Sequence, residues 1–532
     1  MNAETVSALT SVFPWIVPEI LLGAMACVLF LGATWKADRH VWGVLAMVGL
    51  VLAGVSASLI PRPAATEPAL FTGPLWLANL AVLTRIIALA GGAVLVLLTW
   101  NEPPERHAGE FHGCILVIVA GVSFTGLAND LVVLFVSLEM ISIPTYVLLY
   151  LPRSDDQARE AGAKYFLLSV FSSALLLFGF SYLYGLAGTT NLHGIADALT
   201  NRPAEEAAPV LVLMALGMVV AGLGFKITAF PFHAYAPDVY QGTTHGAAAL
   251  LAFIPKVAGF VAFVRVLNLL PFTYGKVTVL PIAFSQTSTM LYILAVSTMT
   301  VGNLLALWQD DLKRLLAYSS VAHAGYMLIG LTVAPYLREA PLGVGGVAAV
   351  MFYLVAYGAM TVGVFAVLSY LNSPARPVQS IDDLAGLGKS HPRVALVMML
   401  FLLSLIGIPL TAGFVGKLLL FLGAFAVPFN PGKAFDLEQA RLFRVLALIA
   451  AVNAAVAGWY YLRIITVMYL KSPGRPLPQP KPSPVLGAIW ICALVTLVFG
   501  IYADPLKVRV QTVETPTTTA GSVPAQALVG QP

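Results

Sequence analysis

The sequence predicts an all-α protein that crosses a membrane many times. Three observations carry that reading. The chain of 532 residues is 59% hydrophobic and only 10% charged, against about 25% charged residues in a soluble globule. Apolar windows of about 20 residues, the length that spans a bilayer as a helix, recur from one end to the other. The stretches between them are short, and many carry Pro, Gly or Asp, which end helices. The net charge of +4 is dispersed over many loops, so no basic run points to nucleic acid.

In chain order the apolar segments predict about fourteen spans. The first seven cover residues 12–35, 41–61, 74–100, 111–128, 130–152, 158–188 and 208–230. The next seven cover 245–270, 287–307, 313–333, 343–371, 393–425, 441–470 and 484–503. The first residues lack the basic stretch of a cleaved leader, so the first span is expected to stay. The longest connections are 189–207 and 372–392. From about residue 504 the chain is rich in Thr, Pro, Ala and Gly and reads as an irregular tail. Residues 1–532 therefore form one membrane domain.

Lys and Arg favour one set of alternate loops, with Lys36, Arg39, Arg106, Arg153, Arg159, Lys313, Arg314 and several later residues. The other set holds Arg62, Arg202, Lys276, Arg338, Lys433 and a few more. The richer set is expected on the cytoplasmic side, which puts both termini outside. Cys27, Cys114 and Cys492 lie in different spans, with no paired-cysteine motif. Disulfides and iron–sulfur ligation are not expected. No Gly-rich dinucleotide fingerprint or phosphate loop is present. The expectation is a chain with no cofactor and no metal of its own.

A faint internal repeat runs through the spans. Asn129-Asp130-Leu131 opens the fifth, and Asp310-Asp311-Leu312 opens the tenth. Thr228-Ala229 lies beside Pro231 in the seventh, and Thr411-Ala412 beside Pro409 in the twelfth. An offset of five spans inverts the second copy across the membrane, a plan known from transporters with sites on broken helices.

Charge inside these runs is the chemical signal. Glu139, Lys164, Lys226, Lys256 and Lys417 all fall within apolar segments, where ionisable groups are costly and functional by default. Glu139 stands near mid-span with no room to snorkel. It is expected either to be protonated or to pair with a lysine, Lys164 or Lys226. Lys226 lies one turn before Pro231, which opposes a continuous helix; such breaks are tolerated in a bilayer only when buried in protein or facing water. Lys256 follows Pro255. Lys417 follows Gly407-Ile408-Pro409, inside a segment too long for one straight crossing. The bland alternatives are a static packing pair for Glu139 and lysines snorkelling to the interface. His233, His245 and His323 lie near these spans and are possible proton relays, against the commoner role of a hydrogen-bonded core histidine. For Arg85 and Asp130, packing or interfacial roles fit better.

The stretches around these charges resemble a known family. They are Val136-Ser-Leu-Glu139-Met, Ala163-Lys164-Tyr-Phe-Leu-Leu-Ser, and Lys226 with Pro231-Phe-His233 and Ala236-Pro-Asp-Val-Tyr240. Further on come Lys313-Arg-Leu-Leu-Ala-Tyr-Ser-Ser-Val-Ala-His323-Ala-Gly-Tyr and Gly407-Ile-Pro-Leu-Thr-Ala-Gly-Phe-Val-Gly-Lys417. Together, over residues 15–503, they look like the antiporter-like membrane subunits of respiratory complex I. Lys417 at the twelfth span resembles the N type, since the M type carries a glutamate there. The absence of a long lateral helix separates the chain from the L type. Subunits of multisubunit cation/proton antiporters share much of the pattern and are the alternative. Gln241-Gly242 departs from the family's more usual Glu-Gly.

The resemblance implies two inverted five-helix repeats, at 111–270 and 287–470, with helices 12–110 before them and 484–503 after. It implies a bacterial inner-membrane subunit that pumps protons beside other antiporter-like subunits. FMN, iron–sulfur clusters and quinone would all belong to other subunits. Glu139, Lys164, Lys226, Lys256 and Lys417 would carry the protons, with Glu139 and its lysine as the switch.

Overall fold

The computed structural model describes residues 3–35, 38–60, 73–153, 155–200, 209–267, 281–337, 346–373, 376–427, 434–472 and 483–511. Regular structure among them is helical. An N-terminal group holds α1 (Ala3–Gly32), α2 (Arg39–Leu59), α3 (Asn79–Thr99) and α4 (Ala108–Leu127). Then come α5 (Leu131–Tyr150), α6 (Asp156–Ala187), the short α7 (Leu192–Thr200), α8 (Pro209–Lys226), α9 (Ala236–Gly242) and α10 (His245–Leu267). The second half holds α11 (Pro281–Leu307), α12 (Leu312–Val333), α13 (Gly346–Leu371), α14 (Leu387–Ser390), α15 (Pro392–Ile406), α16 (Ala412–Ala426) and α17 (Ala434–Leu470). It closes with α18 (Val485–Ile501) and α19 (Asp504–Gln511).

Among the described residues, 11 helices are long and apolar enough to cross a membrane, or 12 if α18 and α19, bent by 86°, count as one span. Three further apolar helices are short: Val210–Lys226, Pro392–Ile406 and Ala412–Ala426. They flank breaks in the backbone, so the expected fourteen apolar segments do not all become full-length helices. Residues 393–425 divide into α15 and α16, as the excess length required. The chain from 504 to 511 is helical, not irregular as its composition suggested. Residues 512–532 and the loop charges Lys36, Arg62, Arg202, Lys276, Arg338 and Lys433 lie outside the described residues.

Helix α10 is apolar on every side apart from His245, Lys256 and Arg265, and every one of its residues is buried, as expected for a helix without a continuous polar face. It is the centre of the molecule, with α12 and α13 nearly as enclosed. The outer helices α1, α2 and α6 present apolar side chains outward, among them Leu31, Val51, Leu167 and Phe171. Close packing in the second half rests on small residues, as in membrane bundles generally. A Cβ at Gly302 would lie 2.7 Å from the Ala322 amide nitrogen, and one at Gly325 would lie 2.5 Å from that of Met299. Thus α11 and α12 touch backbone to backbone.

The two copies of the faint repeat have the same local setting. Asp130 caps α5 by accepting from the Val132 amide at 2.8 Å, and Asp311 caps α12 by accepting from Arg314 at 2.9 Å. Each start is laced to a distant strand-like stretch. Leu131 N–H donates to Thr190 O and Leu192 N–H to Asn129 O, both at 2.9 Å. Leu312 N–H donates to Gln379 O at 2.7 Å and Ile381 N–H to Asp310 O at 3.0 Å. Both copies also contain a broken helix. α8 stops at Lys226 and helix resumes at Ala236, with Thr228 at φ 59° between. α15 stops at Gly407, whose φ of 95° suits glycine, and Leu410 at φ 71° precedes α16.

Candidate functional site

The first cluster forms where α5 meets the end of α8. Lys226 is the last residue of α8, so the break opens the end of the helix directly beside its ammonium group. Its Nζ lies 3.7 Å from Glu139 Oε1, and the lysine is 4% exposed against 21% for the carboxylate. Lys226 donates to the Ser142 hydroxyl, one turn along α5 from Glu139. Ser173 of α6 donates to Glu139 Oε1 at 2.6 Å. Glu139 is therefore paired, and its partner is Lys226. At 3.7 Å, with a hydroxyl beside each charge, the contact is looser than a closed hydrogen-bonded bridge.

Lys164 was the alternative partner and an expected member of the interior line, and the structure places it elsewhere. Near the start of α6, it sits at the end of the bundle, 2.6 Å from both Glu160 and Asp238. Arg314 holds the other Asp238 oxygen at 2.6 Å. Lys164 is 40% exposed, because a long side chain close to a helix end reaches the interface. It is not part of the buried set.

The remaining lysines lie along the interior. The Lys226 stem packs on α10 where a Cβ at Gly259 would approach it to 3.4 Å. One turn earlier on that helix, Lys256 is wholly buried. It donates to the Ser320 carbonyl and stands 5.5 Å over the Tyr357 ring. Lys417 of α16 reaches back across the break and donates to Leu405 O at 2.8 Å and Ile406 O at 2.9 Å. These are carbonyls that the end of α15 leaves without intrahelical donors, and they carry the negative end of its dipole. The Tyr326 ring lies 5.0 Å from the same ammonium.

His323 joins Lys256 to Lys417. Its Nδ1 is 2.7 Å from Tyr353 OH and its Nε2 is 3.1 Å from Tyr461 OH. Its ring lies 5.2 Å from Tyr357, against which Lys256 rests, and 5.7 Å from Tyr326, against which Lys417 rests. Each is a hydroxyl or imidazole that can accept one proton and release another. His233 packs on Phe230 and Tyr318 beside the first break, off this line. His245 heads α10 at the bundle end, away from the stretch between the two lysines.

Sequence reasoning missed several polar groups. Glu19 and Arg85 form a buried bridge of 2.9 Å among α1, α3 and α4, completed by Ser123 and by a 2.7 Å bond from Arg85 to the Trp15 carbonyl. Arg85 thus has the packing role expected of it. The signal for Glu19 was a charge in the first apolar run. Arg265, buried on α10, donates to the Gly126 carbonyl. The bridging tyrosines carry no charge to mark them in an apolar run, although Ser319, His323 and Tyr326 recur on one helical face. Gln241, the departure from the family pattern, donates to Asp311 at 3.2 Å and accepts from Arg314 at 3.1 Å.

Comparison with known proteins follows the same line. Residues 128–433 match the family described as NADH:quinone oxidoreductase/Mrp antiporter, TM. A subunit N 1 of NADH-quinone oxidoreductase from Solibacter usitatus is 35% identical, over 91% of this chain and 93% of that protein. Subunit N from Anaeromyxobacter is 36% identical, over 92% and 94%. A chain of respiratory complex I from Thermus thermophilus superposes with a TM-score of 0.72 at 29% identity, over 92% of this chain and 98% of that one. A chain of the Mrp complex from Dietzia shares the fold, with a TM-score of 0.74 at 19% identity over 93% and 96%. The chain belongs to the NADH:quinone oxidoreductase/Mrp antiporter family of membrane proteins, among the relatives named NADH-quinone oxidoreductase subunit N.

Proposed function

We propose that this chain is a proton-translocating membrane subunit of NADH-quinone oxidoreductase, moving protons while other subunits carry electrons from NADH to quinone. The observation that carries this is the interior line of Glu139–Lys226, Lys256, His323 and Lys417, which joins the two helix breaks. FMN, iron–sulfur clusters and quinone belong to the other subunits in this reading, in keeping with cysteines scattered singly along the chain. The neighbours are the other membrane subunits, antiporter-like ones included.

Counting α8 with its break, the α15–α16 pair, and α18 as one crossing each gives fourteen crossings in our reading, flanking and forming two inverted repeats. The matched caps and breaks support that plan. The end bearing Arg39, Arg153, Lys313 and Arg314 faces the cytoplasm, by the excess of basic loop residues. Both termini are then outside.

A proton loads Lys226 from the cytoplasmic side and passes by Lys256 and His323 to Lys417, and from there to the outside. Glu139 is the switch. While it is close, the lysine keeps its charge; when it withdraws, the uncompensated charge is expelled as a proton. Breaking a buried pair costs about 3–5 kcal/mol, which exceeds the roughly 2.3 kcal/mol per charge per 100 mV of membrane potential. The shared fold of the Mrp chain keeps sodium/proton exchange as a second reading.

The test uses inverted membrane vesicles holding the assembled complex. Glu139→Ala and Lys226→Ala should each abolish most NADH-driven proton uptake with assembly intact. Full uptake in both variants would refute the switch. Sodium-dependent exchange without NADH would select the antiporter reading.

A further inference from the structure

Glu102 is a carboxyl that the line above does not use. Glu102 lies in the turn between α3 and α4, partly exposed, against the first turn of α10. Its Oε1 accepts from the Gly246 amide at 2.8 Å and from the Ser369 hydroxyl at 3.1 Å. Its Oε2 is buried without a hydrogen bond. The carboxylate is pressed so closely to α10 that a Cβ at Gly246 would lie 2.5 Å from that oxygen. Lys313, the cation beside it, directs its protons to the carbonyls of Gln241 and Thr243, both at 2.6 Å. A pure helix cap uses one acceptor oxygen; here the second is buried and closes no hydrogen bond of ordinary geometry.

Inward from Ser369 runs a single face of α13. Ser369, Phe365, Thr361 and Tyr357 follow at four-residue spacing, which stacks them along one side of the helix. Ser369 touches Glu102, and Tyr357 at the other end donates to Ser320 Oγ at 2.7 Å and underlies Lys256. The two ends are about 18 Å apart at 1.5 Å per residue. Between them the Phe365 ring faces the Tyr240 ring at 6.2 Å. Tyr240 interacts with Ser320, yet its hydroxyl closes no hydrogen bond of ordinary geometry. The Thr361 and Thr243 hydroxyls and His245 Nδ1 are likewise buried without a bond. Buried polar atoms need partners, and ordered water supplies them where protein does not. Such atoms are thus spaced between the carboxyl and the central lysine.

We propose that Glu102 collects protons from the adjoining aqueous phase and delivers them to Lys256 through the hydroxyls of Ser369, Tyr240, Ser320 and Tyr357. This rests on the proton-translocating reading above and adds an intake that enters at the middle of the line, separate from Lys226. The carboxylate takes up a proton from water. Each hydroxyl or bridging water then accepts one proton and passes on another, and the Lys256 amine receives the last. Burial pushes the Glu102 carboxyl above its ordinary range, opposed by the bonds from Thr244, Gly246 and Ser369 and by the Lys313 charge. That shift suits a group which must hold a proton before passing it on. Among the described residues, the Lys313 charge acts on Glu102, and His245 precedes Gly246 in the chain.

The experiment measures NADH-driven proton uptake in inverted vesicles of the assembled complex, across pH, with and without added formate. Glu102→Gln should slow uptake, increasingly so as pH rises and protons become scarce, and formate should restore part of the rate. Glu102→Asp should keep most of the rate. Tyr240→Phe keeps the ring against Phe365 but removes the hydroxyl, and should slow uptake in the same pH-dependent way. If Glu102→Gln does not assemble, Tyr240→Phe decides by the same profile. Wild-type uptake at every pH in Glu102→Gln, while Lys226→Ala stops it, overturns the intake alone. A uniform loss without formate rescue, with Tyr240→Phe normal, also overturns it and leaves Glu102 as a helix cap. If Lys226→Ala is normal too, the proton-translocating reading fails with it.

Discussion

Two buried ion pairs in this protein differ in how they are held. Glu19 and Arg85 are fully joined. Arg85 Nε and Nη2 reach the two carboxylate oxygens at 2.9 and 3.0 Å, and Ser123 and the Trp15 carbonyl add further bonds. Glu139 and Lys226 stand farther apart, each with a serine that can hold it when the other leaves. The first geometry suits a static pair, and the second suits the opening that the proposed switch requires. Arg85→Met should therefore cost about 3–5 kcal/mol of stability by leaving Glu19 buried and unpaired. The double variant Glu19→Leu/Arg85→Met should recover most of it, as read by thermal unfolding of the purified complex. Equal stability of the single and double variants would show that the pair is not what holds α1 to α3. At this scale the sequence exposed Glu139, Lys226, Lys256 and Lys417, because charge in an apolar run is visible without a structure. It did not reveal that Lys164 reaches the bundle end, which depends on where α6 begins. Nor did it separate Tyr353, Tyr357 and Tyr461 from ordinary core tyrosines, since a hydroxyl's role is set by the helix facing it.

The elements that matter are the broken ones and the helix between them. α15 ends at Gly407, and Lys417 supplies donors to the carbonyls exposed there. The break was legible from length, since residues 393–425 exceed one crossing, and from the Gly-Ile-Pro run. The short helices themselves were not, because apolar windows measure hydrophobicity and not where hydrogen bonding stops. The contact of α11 with α12 was also invisible in sequence, as a glycine in a span shows no partner. That contact gives a prediction at this scale. Gly325→Val would drive a side chain into the backbone of α11 at Met299. Overpacking of this kind costs about 1–3 kcal/mol, and the two helices also hold Tyr326 and Asn303 together at 3.1 Å. The variant should accumulate less complex on native gels, with turnover per assembled complex falling as His323 shifts. Unchanged accumulation and turnover would mean that α12 can move without consequence.

Across the whole molecule Glu139, Lys226, Lys256, His323 and Lys417 make up the path proposed above. Lys226 ends the first broken helix with Glu139 of α5 beside it, Lys256 lies on the central α10, and His323 of α12 leads to Lys417 at the second break. The all-α membrane class was readable from composition, and the buried charges were visible as charge in apolar runs. The order of the path was not, because it depends on which faces of α8, α10, α12 and α16 converge. Lys256 is the only lysine of α10 and stands at the junction of the two halves. Lys256→Met keeps the stem and removes the titrating amine, so it tests the account's central claim most directly. The measurement is protons taken up per NADH oxidised by the assembled complex in inverted vesicles. The account predicts that Lys256→Met assembles normally and loses most of this uptake. Normal assembly with wild-type protons per NADH would contradict it.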